Sequence, residues 1–582
     1  MIFFTAVNRT ISSVCIFIPM LFLASCNIAN EEALADSAKA DTLLLNAQVY
    51  TVNTEAPWAE AVAIKNEKIV FVGSQREALL WKGEHTKTQD LQGGMLLPGF
   101  IDSHSHILLG GAHVDDLLLS PFDSPTRWVE QVQDFAENNP NRRIIMGGGF
   151  LASRFGQQGP TKELLDHIKR PVFILDDGMH GAWLNSAALK QLGINKQTKD
   201  PLPGFDYYKR DLQGEPTGYI LEGTVWTAIA NLMLNTPDSV AEGTAKVIEY
   251  YNAAGITSVF DAGPWEAEEI QLEVLEKLYK NKQLNISYTG SYYIDNASNL
   301  KTVLDKILAL KEKTTHTTYK VNTLKIMVDG TLEGRTAAMF EDYQGDVGNK
   351  GETVLSPAQL NELVEAAVSK DLDIHFHSLG ERAISETLDA IELAKKAYPQ
   401  STVRFTVSHI QIMVDKDIER FSQLGVIAQG SLLWAEYDTA GKAFVSKDQF
   451  ERYYRYQSLV KAGVKLTFGN DYPSSGSGVK GISPLLNIEV GLTRQTPGVA
   501  DAPIQNMIDE RLTLTQLIKG YTLDGAYQLR RDHETGSIMV GKYADLVLIQ
   551  DNLFNIKPHK IHSVPVLTTW WKGRVVFNNT SQ

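Results

Sequence analysis

Short apolar runs recur along most of this chain, and stretches of helical periodicity separate most of them. The runs cover residues 95–101, 256–260, 286–293, 324–328, 372–376, 403–407, 426–428 and 464–468. Between them, residues 357–368 and 381–397 repeat apolar positions at helical spacing, which predicts amphipathic helices. Strands alternating with helices make parallel βαβ units, and eight such units close into a barrel. The predicted fold class is therefore α/β, a (β/α)8 barrel of the TIM type over residues 95–534. About 150 residues separate the first two runs, so a large insertion, about 123–236, is expected after strand one, beside the barrel mouth.

The two ends of the chain read differently. Residues 42–54 and 61–72 are β-rich, the second run turning at Lys65-Asn66-Glu67-Lys68, and 546–550 and 564–577 supply more strand-like sequence. Residues 41–94 and 535–582 are expected to pair into one small, discontinuous β-sandwich. Ahead of them, Arg9 precedes an apolar stretch, 11–23, interrupted by Pro19. That stretch is short for a spanning helix, which needs about 20 apolar residues, and reads as a secretory signal. It ends in Leu23-Ala24-Ser25-Cys26, which resembles a bacterial lipobox. The resemblance implies a signal peptide over 1–25, a lipid on Cys26 and a polar tether over 26–40. It also implies an exported lipoprotein on the periplasmic face, with Asn27 favouring the outer membrane.

Composition narrows the partners. A net charge of −14 and the lack of any basic block exclude polyanions such as nucleic acid. The only cysteines are Cys15, inside the signal, and Cys26, so a mature chain has no disulfide and no thiolate to offer a metal.

Barrel enzymes carry their chemistry at the C-terminal ends of the strands. Strand one runs into Asp102-Ser103-His104-Ser105-His106, where alternation puts both imidazoles and the carboxylate on one face. Strand four contains Lys325 flanked by apolar residues. An enclosed ammonium either loses its proton or snorkels to the strand end; a neutral amine can take up carbon dioxide as a metal-binding carbamate. Strand five ends His375-Phe376-His377, strand six Ser408-His409, and strand eight Gly469-Asn470-Asp471. Five of the 13 histidines thus sit at strand ends, in a mixture of imidazole and carboxylate that suits zinc.

These stretches, with Leu97-Pro98-Gly99-Phe100-Ile101 ahead of Asp102, Gly541–Asp545, Asp177–Ser186 and Gly214–Gly218, resemble the amidohydrolase superfamily, in particular its YtcJ-like branch, amidohydrolase family 3. The likeness covers essentially everything after residue 40. It implies that His104 and His106 bind one divalent metal and His377 and His409 a second, both expected to be zinc, with carboxylated Lys325 bridging. Asp471 would ligate the first metal and carry protons as the catalytic acid–base. Ser378-Leu379-Gly380-Glu381 and Ser408 depart from the family pattern without removing a ligand. The expected activity is hydrolysis of a non-peptide carbon–nitrogen bond, such as an amide, formamide or cyclic amide, of a small molecule. An ester or carbamate hydrolase on the same centre and a non-catalytic binding lipoprotein are the alternatives. His180, Glu222 and Arg335 are candidate substrate contacts, and His375 is expected to pack beside the ligands.

Overall fold

A computed structural model describes residues 39–121, 123–232, 235–294, 300–439, 441–474, 478–505 and 509–579. The expected signal peptide, Cys26 and most of the tether lie outside these residues. Eight parallel strands form the barrel wall in chain order. They are β1 (Phe100–Ser105), β2 (Ile256–Asp261), β3 (Ser287–Ile294) and β4 (Tyr319–Met327). The series continues with β5 (Asp373–Ser378), β6 (Phe405–His409), β7 (Ile427–Gly430) and β8 (Leu466–Phe468). Helices Pro357–Ser369 and Glu381–Ala397 pack outside, where the periodicity puts them.

The circle is completed just beyond β8. The amide of Asp471 donates to the carbonyl of His104 at 2.9 Å, and that of His106 to the carbonyl of Tyr472 at 2.8 Å. The carboxylate of Asp102 accepts from the amides of both His104 (3.1 Å) and Asn470 (3.3 Å). Glycine is required here by close approach: a Cβ on Gly469 would lie 2.4 Å from the His104 nitrogen. The seam that closes the barrel therefore also places Asp471 against His104.

The first apolar run does not make one strand. It divides at Gly99: Met95–Pro98 pairs with Gln48–Tyr50 and Leu546–Ile549 in a different sheet, and only Phe100–Ser105 enters the barrel. The amide of Gly99 donates to Asp545 at 2.8 Å and that of Phe100 to Gly255 at 2.9 Å, so the backbone changes partners there. Both halves are buried, and unbroken hydrophobicity cannot mark such a transfer. The 42–54 run divides likewise. Thr42–Leu45 joins a four-stranded sheet with Ala61–Lys65, Lys68–Gly73 and Lys87–Asp90, while Gln48–Tyr50 joins a six-stranded sheet. Asn46, with φ of 55°, turns the corner.

The six-stranded sheet combines both chain ends, in the order Arg574–Asn578, Val566–Trp571, Leu546–Ile549, Met95–Pro98, Gln48–Tyr50, Trp58–Ala59. Leu44, Val62 and Ile64 of one sheet pack on Leu96, Leu548 and Trp570 of the other, which makes the expected sandwich. The insertion forms a six-stranded mixed sheet of its own, beginning at Leu117–Leu118, ahead of the expected residue 123, and ending at Pro216–Leu221. It rises beside the barrel mouth and sends one loop and one strand end toward the strand termini.

Candidate metal centre

The ends of β1, β4, β5, β6 and β8 bring six residues together. Nε2 of His104 lies 3.4 Å from Oδ1 of Asp471 and 3.4 Å from Nζ of Lys325. Nε2 of His106 lies 3.2 Å from the same Asp471 oxygen, and Nδ1 of His409 3.9 Å from the other. The ring of His409 is 4.7 Å from that of His104 and 4.4 Å from that of His377. One donor atom each from His104, His409 and Asp471 falls within 4.8 Å of the others, and all three residues are buried.

The donor set fits a divalent cation. Nε2 of His377, both ring nitrogens of His409 and Oδ1 of Asp471 are buried without a hydrogen-bond partner. Each such atom left unsatisfied costs about 1–3 kcal/mol, which natural folds avoid unless something else binds it. Burial, and then the neighbouring cationic groups, hold His104, His377 and His409 well below the usual histidine range, so the rings are neutral and able to ligate. Nδ1 of His106 is held by the carbonyl of Gly263 at 2.8 Å, which leaves Nε2 for the centre. Burial pushes the Lys325 amine down to about 7. A large fraction of it is then the neutral nucleophile that carbamate formation requires.

Two of the six residues, and some of their neighbours, have left-handed backbone. His409 and Asp471 hold φ at 71° and 56°, and Glu222, Trp265 and Arg335 at 54°, 44° and 57°. Left-handed conformations of non-glycine residues cost on the order of 1–3 kcal/mol and concentrate where function demands them.

Around the six lie residues of two kinds. His375 is not directed at the cluster; its Nε2 meets Nδ1 of His104 at 2.9 Å, and its ring stacks on Phe260. Trp265 lies flat on His106 with ring centroids 4.2 Å apart, Trp226 stacks on Trp265 at 4.2 Å, and Trp434 lies parallel to His409 at 5.4 Å. None of these tryptophans is visible as a site residue in the sequence, because Trp226 comes from the helix Gly223–Leu232 of the insertion and Trp265 and Trp434 from short turns after β2 and β7, whose courses only the fold determines.

His180 and Glu222 come from the insertion. Nδ1 of His180 is 2.6 Å from Oε2 of Glu222, and its ring lies 5.3 Å from that of His377. Burial opposes the charged ring, but Glu222 outweighs it and raises the His180 pKa above the usual value. Arg335 pairs with Asp346 at 3.1 Å. The two departures from the family pattern are absorbed in the barrel wall. Ser378 Oγ bonds Thr387 (3.1 Å), Ser408 Oγ donates to the carbonyl of Phe376 (2.7 Å), and Glu381 pairs with Arg452 (2.7 Å).

A parallel barrel whose strand ends bring imidazoles, a carboxylate and a buried lysine to one point defines the class of metal-dependent barrel hydrolases. The chain belongs to the amidohydrolase family, whose sequence profile matches residues 87–577. It is similar to the exoenzymes regulatory protein AepA of Pectobacterium carotovorum subsp. carotovorum, 29% identical over 74% of this chain and 94% of that protein. It is also similar to the N-substituted formamide deformylase of Arthrobacter pascens, 25% identical over 93% of this chain and 99% of the relative. Among solved structures, an uncharacterized metal-dependent hydrolase from Pyrococcus furiosus shares the fold, with a TM-score of 0.67 and 23% identity over 88% of this chain and 99% of that one.

Proposed function

We propose that the protein hydrolyses a non-peptide carbon–nitrogen bond of a small molecule, an amide, formamide or cyclic amide. The observation that carries this reading is the convergence of His104, His409 and Asp471 on one point with Lys325 Nζ beside it. His104, His106 and Asp471 would hold one divalent cation, His377 and His409 a second, and Lys325, carboxylated, both; zinc suits these donors best. Bound there, the cations would supply an activated water and polarise the scissile carbonyl. Asp471, 3.2 Å from His106 and 3.4 Å from His104, is placed to take a proton from the attacking water and return it to the leaving nitrogen. An amine leaves poorly unless protonated. The name of the formamide deformylase relative supports this substrate class.

A panel of N-formyl and N-acyl amines, lactams, and matched esters and carbamates, assayed with the zinc-loaded protein, tests the reading. Release of amine, abolished by Asp471→Asn, is expected. Turnover of the esters or carbamates alone would replace the amidase assignment with that of another hydrolase. No turnover of any class would favour a binding protein.

We also propose that the mature chain is held on the periplasmic face of the outer membrane through lipidated Cys26, as the lipobox-like sequence suggests. A Cys26→Ala variant is then expected in the soluble fraction, and its recovery with the membranes would argue against the lipid.

A further inference from the structure

Side chains alternate along the sandwich strands, and their two faces order the molecule in layers. In the six-stranded sheet Met95, Leu97 and Val547 pack with the barrel residues Phe100 and Ile256, while Leu96 and Leu548 face the other sheet. In the four-stranded sheet Leu44, Val62 and Ile64 meet them, and Leu43, Leu45 and Ala63 face the opposite way, against Ala78 and Trp81. The short helix Gln75–Ala78 and the turn Leu79–Trp81 therefore form the outermost layer. The six-stranded sheet joins the barrel at the N-terminal ends of its strands. Nε1 of Trp571 donates to Oγ of Ser287, the first residue of β3, at 3.0 Å, and Nζ of Lys572 to Oγ1 of Thr318, just before β4, at 3.3 Å. The metal ligands sit at the C-terminal ends, so barrel and both sheets separate them from the outer turn.

That turn is apolar and exposed. Leu79 and Leu80 are 47% and 39% exposed, beside half-buried Trp81 and Phe71, whose rings lie 6.1 Å apart. Exposed Arg76 and Lys82 flank the turn along with Glu77 and Glu84, so the patch is close to neutral and its contact surface is hydrocarbon. The described chain begins at the same spot. The amide of Ala40 donates to the carbonyl of Trp81, and Nζ of Lys39 to that of Leu80, both at 2.9 Å. Cys26 is 13 positions upstream of Lys39, a reach of about 45 Å at full extension. A lipid on Cys26 would thus join the bilayer to the protein at its exposed leucines, and a short link raises the effective concentration of the surfaces it joins.

We propose that the turn Leu79–Trp81 is a second membrane contact, with Leu79 and Leu80 set among the acyl chains of the bilayer that holds the lipid. This inference rests on the lipidated-Cys26 reading above and is independent of the hydrolase reading. The protein then rests on the membrane by its sandwich, with the metal centre at the far pole, where a water-soluble substrate reaches it without crossing lipid.

On that reading Cys15 leaves with the signal and Cys26 carries the lipid, so Leu80→Cys offers a single thiol for an environment-sensitive fluorophore. The lipidated protein labelled there is reconstituted into phosphatidylethanolamine–phosphatidylglycerol vesicles, beside protein labelled at Leu212→Cys, a fully exposed position of the insertion. Emission from Leu80→Cys should shift to the blue and be largely lost to doxyl groups carried on the acyl chains. Emission from Leu212→Cys should do neither. A Leu80→Cys label that stays in water while the vesicles retain the protein would overturn the proposal. So would a blue shift already present in buffer in the chain lacking residues 1–26, which would put the tether over the leucines. A shift that grows with protein density and ignores the doxyl groups would overturn it too, by seating another copy of the chain there. Protein that carries no lipid, recognised by its mass, would fault the Cys26 reading and take the proposal with it.

Discussion

Nε2 of His375 lies 2.9 Å from Nδ1 of His104, so one histidine of the barrel interior holds the far side of another. That contact leaves Nε2 of His104 facing Lys325 and Asp471. It does for His104 what the carbonyl of Gly263 does for His106. Partners of this kind typically contribute 10–100-fold in metal affinity. His375→Leu is therefore expected to weaken zinc binding by about that factor in competition with a chelator, while His375→Gln, which can still accept a hydrogen bond, loses less. Equal affinity in wild type and His375→Leu would reduce the contact to packing.

The hydrogen bonds that join Thr336 to Glu222 and Glu222 to His180 can be perturbed without replacing any of the three residues. A Cβ on Gly330 would lie 2.1 Å from Oγ1 of Thr336 and 2.3 Å from Oε1 of Glu222. Gly330→Ala must push those side chains apart, and overpacking of this sort costs about 1–3 kcal/mol. Calorimetry should register the destabilisation, and turnover should fall more than zinc content does. A variant as stable and active as wild type would mean that the Thr336–Glu222 bond is dispensable.

Carboxylation of Lys325, as proposed, would make metal loading depend on pH and on carbon dioxide. Only the neutral amine of Lys325 attacks carbon dioxide, and burial brings its pKa to about 7. Below that value the neutral fraction falls about tenfold per pH unit, and above it the fraction levels off. Zinc reconstitution of the metal-free protein, at fixed dissolved carbon dioxide, should therefore accelerate from pH 6 to pH 8 and then level. Removal of carbon dioxide should slow it. A rate indifferent to both would leave Lys325 as an uncarboxylated amine.

Much of this was legible in the sequence, for a physical reason: parallel strands are buried on both faces and read as apolar runs, and their ends stand out wherever a histidine or aspartate follows. His104, His377, His409 and Asp471 all follow such runs. The breaks at Gly99 and Asn46 were not legible, since an apolar residue is equally content in either of two adjoining sheets. Neither was the partner of His375. Alternation places it on the same face as His377, but only the barrel's curvature carries it to His104 rather than to the centre. Trp265 and Thr336 were missed because each meets its partner across a long loop closure, His106 from 159 positions away in one case and Glu222 from 114 in the other.

Lys325 is proposed to belong to a two-metal centre, and its share in holding the metal is read from elemental analysis of the protein. The chain lacking residues 1–26, loaded with zinc and bicarbonate, is predicted to retain about two equivalents of zinc, and Lys325→Ala markedly fewer. One equivalent in both proteins would contradict the account and remove Lys325 from the metal shell.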